Sequence, residues 1–330
     1  MLKLYDRLLL AASVLAFCVV VLGAYVRLSD AGLGCPDWPG CYGHMVVPHS
    51  ETALQTAQQA YPDSPLDHPK AWKEMAHRYL AGTLGLLILA IAAIAWRART
   101  HIRPHLPGLL LALVAFQAML GMWTVTLLLK PAIVSAHLIG GMSTLGLLVW
   151  LTHRRWTRQP PVDEPGLRNL QPWAVLGLIV LALQIFLGGW TSTNYAALAC
   201  TDFPTCQSVW VPPMDFGNAF HMLRELGETA DGSALSQEAL TAIHWSHRLG
   251  ALLTFCYIGW LAHKVARTPG LRGLGLLMSG LLVLQVTLGI GNVLLRLPLP
   301  LAAAHNAGAA LLLISLVVLN SKTRRIYGGV

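Results

Sequence analysis

Eight apolar stretches, near 8–26, 79–96, 108–129, 132–152, 172–191, 243–262, 273–295 and 301–319, are each close to the length that crosses a bilayer as a helix. In hydrocarbon every backbone N–H and C=O must be paired within the chain, so stretches of this kind fold as helices. The sequence therefore predicts an all-α membrane protein with eight transmembrane helices. Composition points the same way: of 330 residues, 55% are hydrophobic and only 12% charged, about half the charged share of a soluble domain. The net charge of +8 invites a nucleic-acid reading. The basic residues, however, fall between apolar stretches, where cytoplasmic loops collect Lys and Arg, and no DNA- or RNA-binding motif is present. The expected partner is the lipid bilayer, with no nucleic acid.

The N-terminus, 97–107, 153–171, 263–272 and the tail after 319 hold 15 of the 23 Lys and Arg, while the opposite side holds 12 of the 15 acidic residues. That asymmetry predicts two cytoplasmic termini and places the long loops, about 27–73 and 192–241, on the outer face. Short interfacial helices are expected within those loops. No A-x-A-like cleavage site follows the first stretch, so it is expected to stay. The predicted location is the bacterial plasma (inner) membrane, with a multi-pass topology.

The halves match each other in order. Cys35-Pro-Asp-Trp-Pro-Gly-Cys41 returns as Cys200-Thr-Asp-Phe-Pro-Thr-Cys206 after 165 residues, and His77-Arg78 returns as His247-Arg248 after 170. Gln117-Ala-Met-Leu-Gly121 returns as Gln285-Val-Thr-Leu-Gly289, and Ala136-His137 as Ala304-His305, both after 168. An even number of helices preserves orientation, so the reading is two parallel four-helix-bundle repeats. They span 1–152 and 172–330, joined by a cytoplasmic linker at 153–171 that is rich in Arg and Pro.

His77, His137, His247 and His305 stand apart among 13 histidines, near the same ends of the second, fourth, sixth and eighth stretches. An ionisable side chain there is costly unless it faces the protein interior. Two histidines on facing helices suit the axial positions of a heme iron in a four-helix bundle. Glu74 lies three residues before His77, on the same helical face, and His244 holds that place before His247. His244 reads as a group at the pocket rim or behind a ligand. Arg27, Arg78 and Arg248 fit either carboxylate binding, such as heme propionates, or snorkelling to headgroups. Cys35/Cys41 and Cys200/Cys206 each enclose five residues in an outer loop. An oxidising side favours a disulfide in each pair, and the spacing is not that of a usual zinc site. A loop staple and a redox role are both open. Gly121, Gly289, Gly291 and the pairs at 140–141 and 188–189 permit close approach of helices or of a flat macrocycle.

Taken together, Arg27-Leu-Ser-Asp-Ala-Gly-Leu-Gly-Cys-Pro-Asp-Trp-Pro-Gly-Cys41, Glu74-Met-Ala-His-Arg78, His137, Ile243-His-Trp-Ser-His-Arg248 and His305 closely resemble the heme A synthase family, in a form with two cysteine pairs. The resemblance covers nearly the whole chain. It implies a permanent heme b held by His247 and His305 in the second repeat. It also implies a heme O substrate near His77 and His137 in the first, whose C8 methyl is oxidised to a formyl group with oxygen from water. Glu74, His77 and His137 are then the candidate catalytic residues, with Arg78 and Arg248 beside the cofactors. Heme O synthase, oxidase assembly factors and an electron acceptor follow as partners. The alternative is a diheme b-type cytochrome that passes electrons without chemistry on heme; it leaves Glu74 without a task. A carrier from the transport class is disfavoured by apolar spans that no charge interrupts.

Overall fold

Each apolar stretch is a helix, and most run beyond the apolar residues that mark them. The structure is a computed structural model and describes residues 1–157 and 165–323. In chain order the helices are α1 (Leu2–Leu28), α2 (Glu51–Ala60), α3 (His68–Arg97), α4 (His105–Thr126), α5 (Pro131–Trp156), α6 (Pro165–Thr193), α7 (Phe216–Ala219), α8 (Gln237–Ala266), α9 (Arg272–Leu294) and α10 (Leu299–Thr323). All but α2 and α7 are long and apolar enough to cross a membrane. Those two are the short helices expected in the long loops. The middle of the 153–171 linker, 158–164, and the basic tail from 324 lie outside the described residues.

The extra length matters most in α3 and α8. Asp67 caps α3 by accepting the Lys70 N–H at 3.0 Å, and Pro69 suits the first turn, where no N–H is needed. Ser236 caps α8 through the Ala239 N–H at 3.1 Å. Both helices are thus fixed well before their apolar residues begin. His77 stands nine residues into α3, about 14 Å along it at roughly 1.5 Å per residue. The polar motifs are inside the helices rather than at their mouths.

In the first half, α1 packs on α3 and α5, and α4 closes the square against both. In the second, α6 packs on α8 and α10, with α9 closing it. α3 therefore lies diagonally across from α5, and α8 from α10. The bundles meet along α1, α5, α6 and α10. The turns from α4 to α5 and from α9 to α10 share an uncommon backbone: Leu128 and Leu129 have φ of 47° and 60°, and Arg296 and Leu297 have 56° and 61°. Leu9, Ile88, Leu145, Ile258 and Leu316 are fully buried in one continuous core. Leu86, Leu183, Leu253 and Val283 point outward, as lipid-facing residues do.

Arg27, expected near a propionate or headgroup, instead fastens the two bundles. Its Nη2 donates to the Ser192 carbonyl at 2.9 Å, and its guanidinium sits 4.1 Å from the Tyr195 ring centroid. Tyr195 in turn donates its hydroxyl to Asp30 at 3.0 Å.

Candidate functional site

Each of the four histidines rests on a glycine of the neighbouring helix. A Cβ built on Gly23 of α1 meets His77 Cε1 at 2.8 Å, and one on Gly121 of α4 meets His137 Cε1 at 3.4 Å. The second bundle repeats this: Gly188 of α6 would meet His247 Cε1 at 3.1 Å, and Gly289 of α9 would meet His305 Cε1 at 3.1 Å. A side chain at Gly23 would force the ring to shift and one at Gly188 or Gly289 would crowd it, whereas Gly121 leaves ordinary contact distance. The histidines of each pair come from diagonal helices, His77 and His137 from α3 and α5, His247 and His305 from α8 and α10. Gly188→Ala is expected to displace the His247 ring and cost about 1–3 kcal/mol, the usual range for overpacking. Thermal unfolding and the absorption spectrum of the purified protein check this together.

The residues fit a heme. Nδ1 of His77, His137 and His305 is buried with no hydrogen-bond partner, which is costly unless a bound group changes the surroundings. Among the described residues no cluster of three or more His, Cys, Asp or Glu is placed to hold a metal ion. Two imidazoles alone suit a metal that brings its own equatorial ligands, as heme iron does.

Over each pair sits a disulfide loop. Cys35 bonds Cys41 and Cys200 bonds Cys206, so neither pair is free to bind zinc. The aspartate in each loop closes the turn. Asp37 accepts the Tyr42 and Gly43 N–H groups at 2.6 and 2.8 Å. Asp202 accepts the Thr205 hydroxyl at 2.5 Å and the Gln207 and Ser208 N–H groups at 2.7 and 2.9 Å. The Thr205 hydroxyl, with the backbone N–H groups behind it, holds the Asp202 carboxyl down at about 2. Peptide mapping without reductant is expected to find both intraloop bridges; a Cys35–Cys200 link counts against this geometry.

The arginines hold these loops down. Arg78 donates to the Asp37 carbonyl at 2.9 Å and to the Gly40 carbonyl. Arg248 donates to the Thr205 and Cys200 carbonyls at 2.8 and 3.0 Å. Both guanidiniums face loop carbonyls. Glu74 is buried, with one oxygen accepting the Cys35 N–H at 2.9 Å and the other paired with Arg78. It is part of the clamp, not a free carboxylate. His244 fills the same position in α8, accepting the Arg248 Nε–H on its Nε2 at 3.2 Å. This gives the rim histidine a partner and a place behind the second loop.

Sequence reading missed the glutamines as site residues. Gln184 Nε2 lies 3.0 Å from His247 Nδ1, and Gln285 Nε2 lies 3.3 Å from His305 Nε2. The Gln117 amide abuts Gly140, one turn beyond His137. The signal was present as Gln-x3-Gly on one helix facing His-x2-Gly on the next, with both pairs at one-turn spacing. In the sequence Gln117 and Gln285 stand only as repeat markers, while Gly121 and Gly289 also read as sites of close approach.

Fold and site thus define a polytopic membrane protein whose two helical bundles each place a histidine pair beneath a disulfide loop. The COX15-CtaA family, described as cytochrome oxidase assembly protein, matches residues 6–317. A heme A synthase of Shewanella oneidensis is 46% identical over 308 residues, covering 93% of each chain. A heme A synthase of Caulobacter sp. is 28% identical and covers 96% of this chain and 95% of its own. Heme A synthase COX15 of Arabidopsis thaliana is 27% identical over 94% of this chain and 72% of its own. The chain belongs to the heme A synthase family.

Proposed function

We propose that this chain is a heme A synthase that oxidises the C8 methyl of heme O to a formyl group. The observation that carries the reading is the pair of diagonal histidine couples, each ring seated on a glycine. The similarity to proteins named heme A synthase supports it. The N-terminal bundle, 1–152, takes heme O between His77 and His137. The C-terminal bundle, 172–330, keeps heme b between His247 and His305. Bound there, heme b supplies one-electron redox chemistry.

Turning a methyl group and a water into a formyl group releases four protons and four electrons. The electrons leave to an acceptor outside the chain. Positive charge developing on the substrate is best met by a fixed negative group in a dry site. Glu74 is that group: the Cys35 N–H and Arg78 hold its carboxylate in place. The second bundle has neutral His244 in this position and so lacks the charge. Arg78 and Arg248 act by holding the disulfide loops over the pockets. Both termini are cytoplasmic in this reading and the loops face outward, where thiols oxidise. Oxidase assembly is the setting that the family description gives.

Extracting the hemes of cells with and without the gene tests the proposal. Loss of heme A with accumulation of heme O is the expected result. Unchanged heme A defeats it and leaves the diheme electron carrier.

A further inference from the structure

Three of the four histidines stand beside a glutamine–glycine pair, and His77 lacks it; of the three, only His247 has the glutamine on its Nδ1. On α4, α6 and α9 a glutamine stands one turn before the glycine that seats the ring: Gln117 before Gly121, Gln184 before Gly188, Gln285 before Gly289. Each amide abuts a second glycine three residues past the histidine, namely Gly140, Gly250 and Gly308. A Cβ at any of these would strike the amide, so glutamine and glycine come as a set. Around His77 both members are replaced. Val19 precedes Gly23 on α1, and Leu80 follows His77 by three. Cys35 and Cys200 are 165 residues apart, and the same offset pairs Val19 with Gln184; the 170 offset of the histidines pairs Leu80 with Gly250.

We infer that the Gln184–Gly250 lock on His247 is what makes the second bundle retain its porphyrin, and that its replacement by Val19 and Leu80 leaves His77 free to release one. The inference rests on the proposed placement of heme b and heme O. Gln184 Nε2 reaches His247 Nδ1 at 3.0 Å and the His247 carbonyl at 3.1 Å, while its Oε1 is buried without a partner. For His247 Nε2 to hold iron, the ring proton must reside on Nδ1. Turning the amide by 180° gives that proton Oε1 as acceptor, since the O and N positions of an amide are interchangeable in this way, and gives up the bond to the His247 carbonyl in exchange. A hydrogen bond behind a ligating imidazole fixes its tautomer and orientation and strengthens it as a donor. His77 has Val19 where His247 has Gln184, and its Nδ1 is buried and unpaired, as are those of His137 and His305; the contrast is between His77 and His247. In the second pocket Gln184 reaches Nδ1 of His247 and Gln285 reaches Nε2 of His305, whereas in the first pocket the amide of Gln117 abuts Gly140 and its Nε2 has no partner. Gln184 is a positioning residue in this scheme; it acts through His247.

The test uses the full-length protein with its bound heme. Gln184→Val is expected to lose heme to an excess of a heme-scavenging apoprotein about 10–100-fold faster, the usual effect of removing a group behind a metal ligand. Its midpoint potential should move positive, because a weaker donor favours the reduced iron. Gln184→Glu, which keeps an acceptor of the same size, should hold heme as the parent does and move the potential negative. In the other bundle, Val19→Gln with Leu80→Gly should raise the heme retained per chain. A Gln184→Val protein with a loss rate within about twofold of the parent and an unmoved potential overturns the inference. If Gln184→Val does not fold, a positive or absent shift in Gln184→Glu overturns it instead. Bound heme that survives His247→Ala defeats the placement of heme b itself and this inference with it, so the two failures are told apart.

Discussion

Replacing His247 or His305 by Ala is expected to strip the purified protein of its low-spin heme spectrum. The rings come from α8 and α10, which lie diagonally across the second bundle; the nearby imidazole of His244 is taken up by Arg248, whose Nε–H its Nε2 accepts at 3.2 Å. Trp190 is buried at the same end of that bundle, but its indole donates to the Ala219 carbonyl at 2.9 Å and offers no ligand. Gln285 approaches His305, yet an amide is a poor substitute for imidazole on heme iron. Heme content should fall by more than about tenfold, since metal sites respond on that scale even to losses behind the ligands. The fold should survive, because the core of Leu9, Ile88, Leu145, Ile258 and Leu316 is remote from the rings. His77→Ala and His137→Ala should keep the heme spectrum and stop heme A formation. His44→Ala is the control: His44 pairs with Cys41 through backbone groups alone. Absorption spectra of the five single variants and the His247/His305 double variant, normalised to protein, decide the matter. A full spectrum in the His247/His305 double variant sinks the assignment.

What the sequence made legible follows from how strongly each feature is constrained. Apolar length alone marks the eight membrane helices, because hydrocarbon permits few alternatives. The ends of α3 and α8 were not legible from hydropathy; Asp67 and Ser236 start these helices among polar residues. The histidines stood out because a polar ring in an apolar span needs a reason. Their glycine seats were half legible: Gly121, Gly188 and Gly289 were visible as small residues, but which ring each one faces depends on helix rotation. The loop contacts of Arg78 and Arg248 were not legible for a related reason. Sequence shows that a guanidinium is available near a pocket, not that loop carbonyls from Asp37 and Thr205 reach it first. Glu74 is read as lying on the helical face of His77, but its partners, 39 residues away at Cys35 and one turn away at Arg78, are not legible from that. Contacts to a folded loop leave no periodic trace.

Glu74→Gln is expected to separate heme A formation from heme b binding. The substitution keeps size and an oxygen for the Cys35 N–H, but removes the charge opposite Arg78. Both side chains are nearly buried, at 6% and 12% exposure, so the pair is little screened by water. Removing one member of a buried pair outright costs about 3–5 kcal/mol. Here the guanidinium keeps the Asp37 and Gly40 carbonyls, and the loss should be nearer the 1.5–3 kcal/mol typical of a hydrogen bond to a charged group. That much destabilisation lowers yield without emptying the second bundle, whose clamp is built from His244 and Arg248. Catalysis should suffer more. Losing one preorganised electrostatic contact to a transition state costs roughly 10²–10³ in rate, so heme O should accumulate while the heme b spectrum stays. Arg78→Lys supplies the comparison, because it keeps the charge beside Glu74 and loses the fork that holds the loop. If Glu74 acts only as a clamp, both variants lose heme A in proportion to folded protein, and activity per folded molecule is unchanged. A Glu74→Gln protein that carries heme b and makes heme A at a near-normal rate per molecule ends the electrostatic role. A drop of about a hundredfold per molecule, with Arg78→Lys much less affected, assigns the chemistry to the carboxylate rather than to the loop it holds.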